Sequence, residues 1–467
     1  MEATESADLL FDLGCELQRA ERYQEALSAL EQAQAIDPNI PYIKHKIALS
    51  HLRLRNYTTA LALYEAQVQE TPNDLDAWVG LSISAFECRQ WEKSLAKAEQ
   101  AFKLNPNNAL ILHCYSIILR EFGHFKRALH LLERSVLLDP ENAEARVQLG
   151  LRQLEEGDYK NGWKTFEARW RWRHYQGKPW VNSQVPRWAG ESLAQKNIFL
   201  WYEPWQGIGD EILFLRYAAP LAERAQREGG LIMLACHEPL LTLFGRSLAD
   251  HRNVLFLTTK ERGQAWQPQH FLGRTPMQCP IMSLPLFLSE IPPRFPYLTP
   301  DPVKVEAWRE RLSVDKSVKV GLSWTGREDH PRNDLRTVPI LDLVRAIKNI
   351  PGVTLYSLQR EHPDQARAAA LIDFTQELAS VDDTAALVSN LDLVIGVDSM
   401  TAHLAGALNI PTWVLCDFNP PWMWGRKDKR TIWYPSVNVY RQHKMHRWEG
   451  VFEEIRADLR ATQAARH

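Results

Sequence analysis

Three short stretches carry residue types that could do chemistry. Gly207-Ile208-Gly209-Asp210 falls where an apolar run gives way to an amphipathic one, so a strand is expected to turn into a helix there. Glycines at such a turn allow close backbone approach to a ligand, and a helix start favours negative charge. The spacing is not the GxGxxG dinucleotide fingerprint, because Ile212 holds the third glycine's place. From spacing alone, Asp210 suits a helix N-cap equally well. Asp398-Ser399-Met400-Thr401-Ala402-His403 follows a second apolar run and opens another helix. Its first N–H groups, with the hydroxyls of Ser399 and Thr401, suit a diphosphate, and His403, one turn in, can face the same loop. A capped helix start with a buried, satisfied histidine is the plainer reading. Ser323-Trp324-Thr325-Gly326 ends a third apolar run, and the loop beyond it carries Arg327, Arg332 and Arg336. Arginines above a strand's carboxyl end can neutralise a phosphate leaving group. A solvated loop accounts for Arg327 as well.

These stretches need βαβ units to position them. After Lys196, apolar runs alternate with amphipathic segments. Strands are expected at Ile198–Tyr202, Leu231–Ala235 and Val254–Leu257, with a helix from about Asp210 to Arg227. The proline-rich stretch Ile291 to Pro302 reads as a linker. A second set follows: strands Val318–Trp324, Thr354–Leu358, Leu393–Val397 and Thr412–Cys416, and helices Ile340–Ile350, Thr384–Asn390, Met400–Leu408 and Arg447–Ala461. Two Rossmann-like halves would place ligand at the carboxyl ends of their strands.

The first third follows another rule. Proline recurs at Pro38, Pro72, Pro106 and Pro140, a period of 34 residues. An aromatic keeps that period at Tyr23, Tyr57, Trp91, Phe125 and Tyr159, and a small residue follows at Ala26, Ala60, Ser94 and Ala128. This is the period of the tetratricopeptide helix-turn-helix. The small residue lets paired helices approach, the aromatic fills the space between repeats, and proline ends the preceding helix. Four full repeats cover Ser6 to Pro140. A fifth starts at Ala143, keeps Gly150, Tyr159 and Gly162, and then departs, with His174 where proline is due. Such arrays present concave surfaces to many partners, and a passive scaffold is an equal reading. The join, Glu167 to Trp188, interleaves tryptophan with arginine, a pattern that suits single-stranded nucleic acid. Rings packing the array onto the next domain explain it better beside a net charge of −2.

Hydrophobic residues make up 45% and charged residues 24% of the 467, the balance of a globular protein of several domains. No apolar run is long enough to span a bilayer, and no basic-then-apolar leader opens the chain. The six cysteines are scattered, without metal-ligand spacing. A reducing cytoplasm, no nucleic-acid partner and no structural metal are expected.

Taken together, QGIGDEILFLRY, MSLPLF, GLSWTG, LYSLQ and VDDTAALVSNLDLVIGVDSMTAHLAGALNIPTWVL resemble bacterial tetratricopeptide-repeat glycosyltransferases. Their catalytic part is similar to the heptosyltransferases of glycosyltransferase family 9. The resemblance implies an α-solenoid followed by a GT-B fold of two Rossmann-like halves. It divides the chain into an array with capping repeat (1–172), a join (173–196), an acceptor half (197–300) and a nucleotide-sugar half (301–467). It implies inverting, metal-independent transfer from a nucleotide-sugar donor, used as substrate rather than cofactor, to a protein or glycan acceptor. Asp210 would be the general base, with Gly207 and Gly209 in the acceptor loop. The donor would meet Ser323, Arg336, Gln359, Asp398, Ser399, Met400, Thr401 and His403. Glu203 and Glu211 are the next carboxylates that could act as base. The absence of an Asp-x-Asp at a strand end agrees with metal-free transfer, and Asp382-Asp383 reads as a helix cap. Two departures stand out: Pro204-Trp205 looks inserted in the acceptor loop, and Ser399-Met400 replaces a usual Thr-Gly. Trp422, Trp424, Trp433 and Tyr434 could stack on sugar, but sealing a domain joint is the commoner use. The alternative to an enzyme is an interaction scaffold whose nucleotide-binding part is inactive or regulatory.

Overall fold

A computed structural model describes residues 2–172, 185–203, 206–258, 273–288, 291–292 and 294–464. By its contacts the chain separates into two compact units, Met1–Leu149 and Gly150–His467.

The first unit is built of paired helices. Each aromatic of the repeat series is the first residue of a second helix: α2 (Tyr23–Ile36), α4 (Tyr57–Glu70), α6 (Trp91–Leu104) and α8 (Phe125–Leu138). Their partners are α1 (Glu2–Arg19), α3 (Ile43–Arg53), α5 (Leu75–Glu87) and α7 (Ala109–Glu121). Each proline of the series stands two residues beyond the end of the second helix, where no N–H is needed. Ala26, Ala60, Ser94 and Ala128 are all buried, as close helix crossing requires. The approach is tight on the facing helices too. A Cβ on Gly80 would overlap the Tyr64 ring.

The second unit opens with the end of α9 (Ala143–Glu155) and α10 (Tyr159–Phe166), which tightens into a 3₁₀ turn at Glu167–Arg171. The fifth repeat is therefore helical, yet residues 150–172 group with the second unit rather than with the array. The reason is packing. Trp163 meets both Phe214 and Trp422, and Tyr159 lies edge-on to Trp433. His174 and most of the join lie outside the described residues.

Two parallel sheets follow. The first has the order β3-β2-β1-β4, from β1 (Lys196–Trp201), β2 (Leu231–Cys236), β3 (Val254–Thr258) and β4 (Thr275–Pro280). The second runs β10-β9-β8-β5-β6-β7, from β5 (Val318–Ser323), β6 (Val353–Ser357), β7 (Ile372–Asp373), β8 (Leu393–Val397), β9 (Thr412–Cys416) and β10 (Val437–Arg441). Every residue of β8 and β9 is buried, as expected of parallel strands covered on both faces. This part is α/β. Strand order reverses between β5 and β8, and that is where such sheets hold ligands.

Three strands go beyond the sequence expectation. β4 carries Pro276 and Pro280 and survives them because it lies at a sheet edge. β7 has two residues, and β10 is the opposite edge. The helix expected from Asp210 to Arg227 is two helices, Ile208–Leu215 and Ala218–Glu228. Arg216 breaks it by turning inward: its Nε donates to the Leu213 carbonyl at 2.8 Å and its Nη2 to the Tyr297 hydroxyl at 3.1 Å.

Candidate functional site

The Ile208–Leu215 helix follows β1, and the Met400–Ala407 helix follows β8; the two pack against each other. Gly209 is what lets them meet. A Cβ there would lie 2.8 Å from Cδ2 of His403, so the glycine admits a protein ring rather than a ligand. Gly207 precedes the helix in extended conformation, and its N–H donates to Oδ2 of Asp210 at 2.9 Å. The N-cap expected at Asp210 is Gly207 instead, and Asp210, at the third helical position, reaches back to satisfy the Gly207 N–H. Asp210 is also more than a capping group. Burial pushes its carboxyl up to about 6, opposed by the Gly207 N–H and by His403 and reinforced by Asp398 and Glu211. The residue as a whole is half-buried.

The other two carboxylates that could act as base are committed elsewhere. Glu203, 1% exposed, receives Nε of Arg169 at 3.1 Å and Nη2 at 2.9 Å. Arg169 is wholly buried and also reaches Glu167 and the Ser283 hydroxyl. Glu211 turns away from Asp210 toward His237, whose backbone N–H it accepts at 3.0 Å. Pro204 and Trp205 lie outside the described residues.

Across from Asp210, at the reversal between β5 and β8, Ser323 and Ser399 bring their hydroxyl oxygens to 3.4 Å. Ser399 caps the Met400–Ala407 helix by position only, since its side chain makes no capping bond. Met400 and Thr401 form the first turn. His403, 3% exposed, contacts the Tyr434 hydroxyl through Nδ1 at 2.8 Å and lies 5.1 Å from the Trp424 ring. Its Nε2 is 3.6 Å from Oδ1 of Asp398. Burial disfavours charge on Asp398, but His403, Arg336 and the Trp424 indole N–H outweigh it and hold that carboxyl below its ordinary value. Arg336 donates from Nη1 to the Asp398 carbonyl at 2.9 Å and from Nε to Asn333 at 3.0 Å. Its Nη2 lies over Gly326, where a Cβ would collide with the guanidinium. Of the other arginines, Arg327 is exposed beside Asp329 and Arg332 pairs with Asp417.

Gln359 adjoins this cluster through the two residues after Ser323. Its Oε1 accepts from the backbone of Trp324 and Thr325, and its Nε2 donates to Glu361 at 2.7 Å, so its side chain shapes the loop after β5. The aromatic group seals a joint. Trp422, Trp424, Trp433 and Tyr434 are all buried, and each packs against Trp163, Tyr159 or His403. Asp383 closes a capping box with Ser380, whereas Asp382 pairs with Arg246. What sequence reasoning missed is His237. No local pattern marks it, and only its position just after β2, beside β1, signals it.

Residues 7–40, and 45–109 with 117–168, match the tetratricopeptide repeat family. The N-terminal third is a tetratricopeptide-repeat array. The repeat match ends at residue 168, so the last repeat belongs to the array by sequence, while from Gly150 onward it groups with the α/β unit. Over nearly its whole length the chain is similar to Protein FlbA of Caulobacter vibrioides, 23% identical over 473 residues, covering 96% of this chain and 72% of that protein. Among solved structures it resembles the thermophilic TPR protein TTC0263 of Thermus thermophilus, with 22% identity over 36% of this chain and 92% of that one, TM-score 0.33. MamA of Desulfovibrio magneticus RS-1 matches at 18% identity over 37% of this chain and 98% of that one, TM-score 0.29. Among the described residues no helix is long and apolar enough to cross a membrane.

Proposed function

We propose that the α/β unit is a glycosyltransferase of the two-sheet GT-B kind, moving sugar from a nucleotide-sugar donor to an acceptor hydroxyl with inversion and without a metal ion. One observation carries this reading: Asp210, from the first sheet's half, and the uncapped helix start at Ser399, from the second, meet across His403. The donor diphosphate would lie on the N–H groups of Met400 and Thr401, beside Ser323, Ser399 and Nη2 of Arg336. There positive potential stands where charge develops on the leaving nucleoside diphosphate. The acceptor oxygen forms the new bond to the anomeric carbon as the bond to the diphosphate breaks, and its proton passes to Asp210. A carboxyl near 6 suits that task at neutral pH. The repeat array supports a role in holding a protein partner or the acceptor.

The test is a panel of nucleoside diphosphates and their sugar conjugates against the whole chain. A rise in melting temperature with at least one nucleotide, and slow sugar release from its conjugate, is expected. Stabilisation without release would favour a regulatory nucleotide-binding domain, and neither response would remove the donor-site reading.

A further inference from the structure

Arg216 ends the helix that carries Asp210 and is buried. A buried guanidinium usually keeps a carboxylate beside it. Among the described residues none pairs with this one, and its bonds go to neutral oxygens: the Leu213 carbonyl, the Trp433 carbonyl and the Tyr297 hydroxyl. The rings of Phe295, Tyr297, Trp433 and Tyr434 surround the charge, Tyr434 nearest with its centroid 4.7 Å from Cζ. A desolvated cation is drawn strongly to such a ring, so Tyr434 is held from the half that carries Asp210. The Tyr434 hydroxyl then meets Nδ1 of His403 at 2.8 Å. Burial pushes that hydroxyl far above its ordinary range, so it keeps its proton. An imidazole has two orientations of nearly the same shape, related by a half-turn that exchanges Nδ1 with Cδ2 and Nε2 with Cε1. Only a nitrogen can bond the hydroxyl, so one orientation is favoured. It puts Cδ2 toward Gly209 and Nε2 3.6 Å from Oδ1 of Asp398. Asp398 in turn accepts Nη1 of Arg336 on its carbonyl at 2.9 Å.

We propose that Tyr434 is a positioning residue of the donor site: its hydroxyl selects the orientation of the His403 ring, and Arg216 fixes Tyr434 from the half that carries Asp210. This rests on the transfer reading above, in which the donor diphosphate lies beside Arg336 and at the start of the His403 helix. Without the hydroxyl, a half-turned ring carries Nε2 away from Asp398, and the residue that anchors Arg336 loses that support. The same cation ties the helix of the proposed base to the helix of the diphosphate site.

The experiment measures binding of uridine, guanosine, adenosine and thymidine diphosphates to the full-length protein by calorimetry, well below its melting temperature. Tyr434→Phe keeps the ring beside Arg216 and Trp424 and removes only the hydroxyl. It should weaken the nucleotide that wild type binds by about tenfold, the scale of losing one hydrogen bond. Because the hydroxyl acts through His403, Tyr434→Phe/His403→Ala should bind no more weakly than His403→Ala alone. Arg216→Lys keeps the charge but cannot span all three acceptors, and it should weaken binding by a similar factor. The Tyr434 cycle stands even where Arg216→Lys fails to fold. Wild-type affinity in Tyr434→Phe, whatever its melting temperature, would leave the hydroxyl a structural role and overturn this proposal alone. Losses that multiply in the double variant would do the same, and wild-type affinity in a folded Arg216→Lys would remove Arg216 from it. Wild-type protein that binds none of the four nucleotides would overturn the donor-site reading and this proposal with it.

Discussion

Asp210→Asn separates the catalytic and capping roles of one side chain. The carboxyl stands at about 6 against an ordinary 3.8, with burial the main cause. A rise of that size corresponds to about 3 kcal/mol by which the ionised form disfavours folding, an upper bound because the residue is only half-buried. A carboxyl raised in the folded state supports folding below its unfolded pKa and loses that contribution as pH rises through the folded value. Wild type should therefore lose stability from this group between roughly pH 4 and pH 7. Asn keeps the Gly207 N–H bond but carries no charge, and the weaker cap returns about 1 kcal/mol. The variant should thus exceed wild type by about 1–2 kcal/mol at pH 8, a few degrees in melting temperature, and match it near pH 4. Its turnover should fall by ~10²–10⁴-fold while nucleotide still binds. Thermal melts at both pH values, with sugar release at pH 8, test this. Near-wild-type turnover would refute Asp210 as a base. A variant less stable than wild type at pH 8 would refute the desolvation argument and leave a structural cap.

Arg336→Ala and His403→Ala should each weaken nucleoside diphosphate binding by about 1–3 kcal/mol in calorimetry; unchanged affinity for both would move the donor elsewhere. Gly209→Ala forces a methyl against His403 and should destabilise by about 1–3 kcal/mol, with turnover lost beyond the loss of folded protein. Transfer should withstand excess EDTA, and dependence on added magnesium or manganese would contradict the metal-free reading. Removing residues 1–142 should leave a folded α/β unit. Removing 1–172 should not, since it strips Arg169 from buried Glu203, a loss on the order of 3–5 kcal/mol, and bares Phe214 and Trp422.

The repeats were legible because three residue types share one period, and each type has a single geometric job: Tyr57 opens α4, Ala60 sits at the crossing, Pro72 follows the end. The central strands were legible as runs such as Leu393–Val397, buried on both faces. Edge strands were not. β4 looks like a loop from its prolines, and β7 is too short to show alternation. The helix break at Arg216 was hidden because a buried guanidinium reads as a surface residue in any pattern of polarity. At the candidate site, adjacency to strand ends singled out Asp210, Ser323, Asp398, Ser399 and His403, which do converge. Gln359, named from resemblance, spends its amide on the loop after β5 and on Glu361. The pairing of Glu211 with His237 was illegible because it spans 26 residues and depends on which strands are neighbours.

The last repeat is spoken for. Its turns hold the α/β unit through Arg169 with Glu203 after β1 and Glu156 with Arg426 and Lys427 between β9 and β10. The repeats before it obey only their own 34-residue rule. The natural seam for lengthening or shortening the chain therefore lies just before Ala143. Whole repeats can be added or deleted there in register, as couplings are inserted in a shaft, while the final one remains a fixed fitting of the part it drives.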